Sequence, residues 1–336
     1  HMNYYLLSFK EERDFTMKMQ ALSYYDNDTD TRFGDCILLY GGSALVVYDC
    51  GHSRHAESVG SFLQLNPTIT DVSIVVSHND GDHTDGVRDL LAWLYDNSKY
   101  SVRVYTHQYL KHIDTILEKI DDGRRNRESL KKSLLAEFDN IKEIIETAQI
   151  YGFPTIEALS GIAVGGCTIV GPTVDEFTDV AAKAVDSRES NSIGEGHAEE
   201  TVMNAASVQL QCTLDNNQSI LLCGDASPDY LHNLNNYYFI QLPHHGQKDD
   251  AIAIFEALGG NSYSKGYLIS DNTGTGKSSG GSDDLVQYMK DEKYSDAYNT
   301  KNGIVVLPIS SATMHSNQRG RGYLGDLDSI KAGIRF

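Results

Sequence analysis

The sequence predicts an α/β fold in which two mixed β-sheets carry helices on their outer faces. Three observations predict it. Short apolar, β-branched runs recur along the whole chain, and segments with apolar residues three or four apart lie between them. At two places, Gly41-Gly42-Ser43 and Asn216-Asn217, turn residues join neighbouring runs directly as hairpins. Strands that meet helices in some places and each other in others build mixed sheets rather than purely parallel ones.

Residues 3–9 (NYYLLSF) read as the first strand, and Asp35–Tyr40 and Ala44–Asp49 as the hairpin about Gly41-Gly42-Ser43. A helix follows around Ala56–Leu65. Val72–Ser77 is apolar and β-branched, the pattern of a strand buried on both faces. It stops at HNDGDHTDG, after which Gly86–Tyr95 resumes helical spacing and 101–106 (SVRVYT) returns to strand. Leu110, Ile113, Leu117 and Ile120, then Leu130, Leu134, Phe138, Ile141 and Ile145, step by three or four. Across 108–148 this predicts an antiparallel helix pair broken near Asp121-Asp122-Gly123. Further strands are expected at Cys167–Val170, Ser207–Thr213, Ser219–Cys223, Tyr238–Leu242, Tyr267–Ser270 and Ile304–Pro308. Helices are expected at about 174–186, 228–235, 250–258 and 283–291. The polar, glycine-containing stretch 187–203 reads as a surface loop near an active-site mouth.

Composition narrows the function classes. The 336 residues are 40% hydrophobic and 22% charged, which excludes a disordered, collagen-like or coiled-coil chain. The length fits one large α/β domain, 3–336, with 108–148 as a helical insertion and His1-Met2 as an expression scar. No run approaches the roughly 18 apolar residues of a spanning helix, and no basic-then-apolar leader opens the chain. A soluble, cytoplasmic protein without a membrane partner is expected. The formal net charge of −19 repels phosphate backbones and argues against indiscriminate duplex binding. The five cysteines, Cys36, Cys50, Cys167, Cys212 and Cys223, form no CxxC pair and read as buried thiols of a reducing compartment.

The chemistry concentrates after the strand at 72–77. His78, Asp80, Asp82 and His83 put four metal-competent side chains into six positions directly behind a buried run. Packing does not explain this, because a buried carboxylate without a partner is costly. On a loop, alternating residues can turn inward together, and neighbouring Asp82 and His83 can reach one ion from two directions. Mixed imidazole and carboxylate donors suit zinc, manganese or iron better than calcium.

This run resembles the HxHxDH signature of metallo-β-lactamase-fold hydrolases, in the HxDxDH variant of the ComEC-like competence-protein branch. Five further blocks follow that branch's order. They are Gly34-Asp35-Cys36-Ile37-Leu38-Leu39, Val47-Tyr48-Asp49-Cys50-Gly51, Asn204-Ala205-Ala206-Ser207-Val208, Leu222-Cys223-Gly224-Asp225-Ala226 and Leu242-Pro243-His244-His245-Gly246. The resemblance spans residues of about 33–308. It implies an αββα sandwich, here with an inserted helical hairpin, and metals at one edge of the paired sheets. Carried over residue by residue, it implies His78 and Asp80 at a first metal and Asp82, His83 and His245 at a second, with Asp225 bridging. Asp49 would orient a ligand histidine through a hydrogen bond, and His244 would face substrate.

Two departures bear on the chemistry. Asp80 stands where the family usually has a second histidine, and Asn204 stands near the usual third histidine of the first site. Both make that site richer in oxygen and weaker, which admits manganese or a single ion. The family's GHP-like block is also replaced, by a glycine-rich run without histidine at Asn272–Ser282. His52, His107 and His197 are further candidates near the site.

Basic residues gather at Arg124, Arg125, Arg127, Lys131 and Lys132, with a smaller group at Arg319 and Arg321. The first three are candidates to draw phosphate towards the metals, with Asn204 as a substrate contact. The resemblance implies a hydrolase using one or two Zn or Mn ions, with Asp82 and Asp225 orienting the nucleophile and His244 protonating the leaving group. Phosphodiester substrates, nucleotide or nucleic acid, follow from the ComEC-like branch. A carboxylic ester or lactone hydrolase stays open, as does a non-catalytic module that meets a protein partner or a second copy through 108–148.

Overall fold

The computed structural model describes residues 17–28, 30–120, 127–191, 202–273, 282–294 and 296–309. The strand expected at 3–9, His197, Arg124, Arg125, Arg319 and Arg321 lie outside these residues. The described strands are β1 (Lys18–Ala21), β2 (Tyr24–Asp26), β3 (Thr31–Phe33), β4 (Ile37–Gly41), β5 (Ala44–Tyr48), β6 (Asp71–Val75), β7 (Ser101–Thr106) and β8 (Thr155–Glu157). They continue with β9 (Ala163–Val164), β10 (Cys167–Gly171), β11 (Gln209–Thr213), β12 (Ser219–Leu222), β13 (Phe239–Gln241), β14 (Gly266–Ile269), β15 (Asp296–Asn299) and β16 (Val305–Leu307).

Two seven-stranded sheets result, ordered β16-β1-β4-β5-β6-β7-β8 and β15-β14-β13-β12-β11-β10-β9, with β2-β3 as a separate hairpin. Each sheet is half antiparallel and half parallel. β5 through β8 run parallel, as do β12 through β15, and the remaining neighbours are antiparallel. The parallel halves therefore present the C-terminal ends of β5, β6, β12, β13 and β14 for the loops that carry chemistry.

Period-two alternation builds the layers. In β4, Ile37 and Leu39 face the second sheet, where they meet Val208, Leu210 and Leu222, while Leu38 faces the helices. The helices are α1 (Ser53–Leu65), α2 (Gly81–Thr84), α3 (Val87–Asp96), α4 (Ile113–Lys119), α5 (Arg127–Glu137), α6 (Asp139–Ile150) and α7 (Val174–Asn191), then α8 (Pro243–Gly246), α9 (Lys248–Leu258) and α10 (Asp283–Asp291). Buried side chains of α1 and α3 to α7 pack on the outer face of the first sheet with Leu45, Val47 and Ile74. Those of α9 and α10 cover Leu221, Ile240 and Ile269 on the second. The result is the expected αββα sandwich.

The segment 108–148 corrects the expectation of a helix pair. It holds α4, α5 and the start of α6, three helices rather than two, preceded by a 3₁₀ turn at Tyr109–His112. The break that the spacing conceals is Phe138, at φ −123°, whose ring is buried against Tyr109 at 4.4 Å between centroids. An apolar residue stays in step while the backbone leaves the helix. The helix expected at 228–235 is also absent: 3₁₀ turns at Pro228–Tyr230 and Leu234–Asn236 stand there, separated by Asn233 at φ 54°. No helix among the described residues is long and apolar enough to cross a membrane.

Candidate metal centre

Five strand ends converge on one edge of the sandwich. Asp49 follows β5 at φ 60°, the 78–83 loop follows β6, Asp225 follows β12, His244 and His245 follow β13, and Asn272 follows β14. Asp35 joins them from just before β4, which runs antiparallel to β5 and so starts at the same edge. Backbone bonds lock these loops together: Cys50 N donates to His83 O at 3.0 Å, Gly51 N to Asp35 O at 3.0 Å, and Gly86 N to Cys50 O at 2.8 Å. The approach is close enough to require glycine. A Cβ on Gly51 would fall 1.6 Å from Asp82 O, and one on Gly224, at φ 52°, would fall 2.9 Å from Ser77 Cβ.

Five of the six sequence-predicted ligands come together, with Asp35 added and Asp80 left out. Asp35, Asp82, His83 and His245 form one group, and His78, His83 and Asp225 a second; in each, one ligand atom per residue lies within 4.8 Å of the others. Asp225 sits among all three imidazoles. Its Oδ1 is 3.5 Å from His83 Nε2, and its Oδ2 is 3.7 Å from His78 Nε2 and 3.6 Å from His245 Nε2. Asp82 Oδ2 is 3.2 Å from His245 Nε2 and accepts a hydrogen bond from Asn272 Nδ2. Asp80 stands beside His78, 3.7 Å from its Nε2, yet outside both groups, and its Oδ2 accepts from Asn204 Nδ2 at 2.8 Å. Asn204 therefore contacts a carboxylate of the site.

Each imidazole is aimed by its other nitrogen or by its backbone. Asp49 Oδ2 lies 2.9 Å from His83 Nδ1 while Asp49 Oδ1 accepts from Ser77 N at 2.7 Å, so Nε2 of His83 points at Asp225. His78 Nδ1 lies 2.9 Å from Ser77 Oγ. His244 and His245 occupy left-handed backbone at φ 49° and 56°, a conformation costing about 1–3 kcal/mol per non-glycine residue, held only where surroundings enforce it. Here it turns His245 into the cluster and His244 towards Asp250, whose Oδ2 is 2.6 Å from His244 Nδ1. Gln241 fixes the neighbouring strand ends by accepting from Cys223 N and Gly224 N and donating to Ser270 Oγ.

The electrostatics are those of a site built for cations. Burial opposes charge on His83 and His245, yet the carboxylates of Asp35 and Asp225 hold both well above their ordinary value, Asp49 adding to the effect at His83. Burial likewise opposes ionisation of Asp225, but His245, His83 and His78 keep it well below the usual carboxylate range. Asp82 is lowered in the same way, burial being outweighed by His245 and His83. Without metal, protons on His83 and His245 supply positive charge to the carboxylates. The residues fit a divalent ion: the buried Nε2 atoms of His78 and His83 and Oδ2 of Asp35 make no hydrogen bond, and each residue belongs to one of the two ligand groups or to both.

Other candidates stand elsewhere. His52 caps α1, accepting from Arg54 N at 3.1 Å, with its ring against both Tyr24 and Phe33. His107 is buried, stacked on Phe177, 3.0 Å from the Ala206 carbonyl through Nε2, and pushed down to about 4 by burial. Neither belongs to a ligand group. Arg127 pairs with Asp114 of α4 in an exposed contact. Sequence reading missed Asp35, Asn272, Gln241 and Asp250. Only Asp35 carried a signal, a Gly-Asp pair entering a strand at the site edge.

Known proteins add a likeness of chain course. No family model matches the chain, and no curated protein matches it. Among solved structures, the metallo-beta-lactamase fold protein YhfI from Bacillus subtilis is 12% identical, with 67% of this chain and 70% of that chain covered and a TM-score of 0.35. A Cronobacter sakazakii metallo-beta-lactamase with a HARLDQ motif is 17% identical, with coverage of 65% and 66% and a TM-score of 0.29. The metallo-beta-lactamase MIM-1 from Novosphingobium pentaromativorans is 12% identical, with coverage of 71% and 70% and a TM-score of 0.28. At these scores the sheet order and ligand geometry above stand on their own.

Proposed function

We propose that the chain is a metal-dependent hydrolase of phosphodiester bonds, acting on nucleotides or nucleic acid in the cytoplasm with one or two zinc or manganese ions. The observation that carries the reading is Asp225, a buried carboxylate 3.5–3.7 Å from three imidazole nitrogens at the C-terminal edge of two sheets. A bound divalent ion supplies Lewis acidity and acidifies a coordinated water. The chain supplies the rest. Asp225 lies beside imidazoles of both ligand groups, and Asp82, steadied by Asn272, borders the space where the attacking oxygen is oriented. Asp250 fixes His244 through Nδ1, which directs Nε2 to the leaving group as its proton donor.

The oxygen-rich ligand set supports a phosphate substrate, because carboxylate donors suit hard ions that pair with phosphate oxygens. Asn204, Arg124, Arg125 and Arg127 are proposed to contact that substrate, offsetting part of the net charge of −19. The test is elemental analysis of the purified protein with a substrate panel of phosphodiesters, cyclic nucleotides, nucleic acids, carboxylic esters and lactones. Bound metal with phosphodiester turnover is expected. Turnover of esters or lactones alone would reassign the substrate class. A metal-free, inactive protein would leave a binding module with 108–148 as its contact surface.

A further inference from the structure

Two aspartates beside ligand histidines, Asp49 and Asp35, are not equivalent. Asp49 makes a hydrogen bond to His83 Nδ1, the nitrogen that faces away from Asp225, and spends its other oxygen on Ser77 N. Asp35 is as deeply buried, and its Oδ2 lies 2.8 Å from His245 Nδ1, but without the angle of a hydrogen bond at either atom. The same Oδ2 also faces His83 Nε2, at 3.9 Å, the nitrogen that Asp49 leaves for the ion. A carboxylate that only oriented His245 would point at one nitrogen along its N–H. Asp35 instead shares the space onto which His83 and His245 converge with Asp82. Its backbone is held there by Gly51 N on Asp35 O.

We propose that Asp35 is a metal ligand through Oδ2, completing a position with Asp82, His83 and His245. The proposal rests on the metal reading above and deepens it. Carboxylate oxygen suits Mn²⁺ and imidazole nitrogen suits Zn²⁺, so losing one of the two anionic oxygens of this position should weigh more on Mn²⁺.

The experiment compares wild type, Asp35→Asn and Asp35→Glu, stripped of metal and titrated with Mn²⁺ (free-ion EPR) and with Zn²⁺ (against a chromophoric chelator). Asparagine keeps the size and a carbonyl oxygen of the side chain but cannot supply the charge. Asp35→Asn is expected to weaken Mn²⁺ binding by more than about 100-fold, beyond the 10–100-fold loss from removing an outer partner. Zn²⁺ binding should fall far less, so the Mn:Zn preference shifts, and Asp35→Glu should recover part of the Mn²⁺ affinity. Unchanged Mn²⁺ affinity in Asp35→Asn, or equal losses for both ions, would make Asp35 a support for His245 and overturn the proposal. Should the variants fail to fold, wild-type crystals soaked in MnCl₂ decide it. The anomalous peak lies within about 2.0–2.6 Å of Asp35 Oδ2 if that atom is a ligand, and well beyond if it is not. A wild-type chain that binds neither ion would overturn this proposal together with the metal reading, an outcome distinct from wild-type binding that Asp35→Asn leaves intact.

Discussion

Asp225→Asn in the metal-free protein isolates the electrostatics of the site from its chemistry. The carboxylate is surrounded by His83, His78 and His245 at 3.5–3.7 Å, and the side chain is almost wholly buried. Removing one partner of a buried ion pair costs about 3–5 kcal/mol, because the other charge is left uncompensated. The pH dependence follows from the directions of the shifts. Raised folded-state values of His83 and His245 mean a contribution fully present below their ordinary 6.5 and lost as pH rises through the folded values. A depressed value for Asp225 means a contribution present above its ordinary 3.8 and lost as pH falls through the folded value. Between 3.8 and 6.5 both conditions hold, and the variant should be about 3–5 kcal/mol less stable than wild type. Urea unfolding in excess chelator over a pH series from 6 upwards measures it. The gap should shrink as pH rises through the folded values of His83 and His245, where these imidazoles shed their protons. A gap of constant size across the series would refute the charge pairing and leave packing as its cause.

Further outcomes follow from the same geometry. His83→Ala and Asp225→Ala should each remove bound metal and abolish hydrolysis while circular dichroism shows the fold retained; wild-type turnover by either variant would contradict the ligand assignment. Asp49→Asn should lower metal affinity about 10–100-fold, since His83 loses the partner that aims its Nε2, and direct titration reads the change. Chelator titration of the loaded protein should resolve two affinities, with activity lost at the first step. The position at His78 has Asp80 beside it, and Asn204 donates to that carboxylate. A single tight step releasing two equivalents would contradict that asymmetry.

Much of the site was legible because its residues lie in short local runs whose residue types packing does not favour. His78 to His83, the glycine before Asp225 and the pair His244-His245 each announce a turn at a strand end. The Gly-Asp pair marked Asp35 but not its place in the cluster, because its partners His83 and His245 are distant in sequence and only the sheet register brings them to one edge. The long apolar strands β4, β5, β6 and β7 were recoverable for the same reason that they form the core. β1, β2, β3, β8, β9 and β15 were not, since these strands of two to four residues lack the apolar run that marks the equally short β13 and β16. Phe138 misled differently: hydrophobic spacing reports which face is buried and says nothing of a backbone break that keeps the face in step.

The most direct test of the account is turnover of a chromogenic phosphodiester by one preparation, first stripped of metal and then restored. The account predicts no hydrolysis in the stripped protein and recovery on adding Mn²⁺ or Zn²⁺. It also predicts proton release on binding, because His83 and His245 must give up the protons that Asp35 and Asp225 hold on them. Hydrolysis that persists in full after stripping, or a restored ion that binds without any turnover, would contradict it.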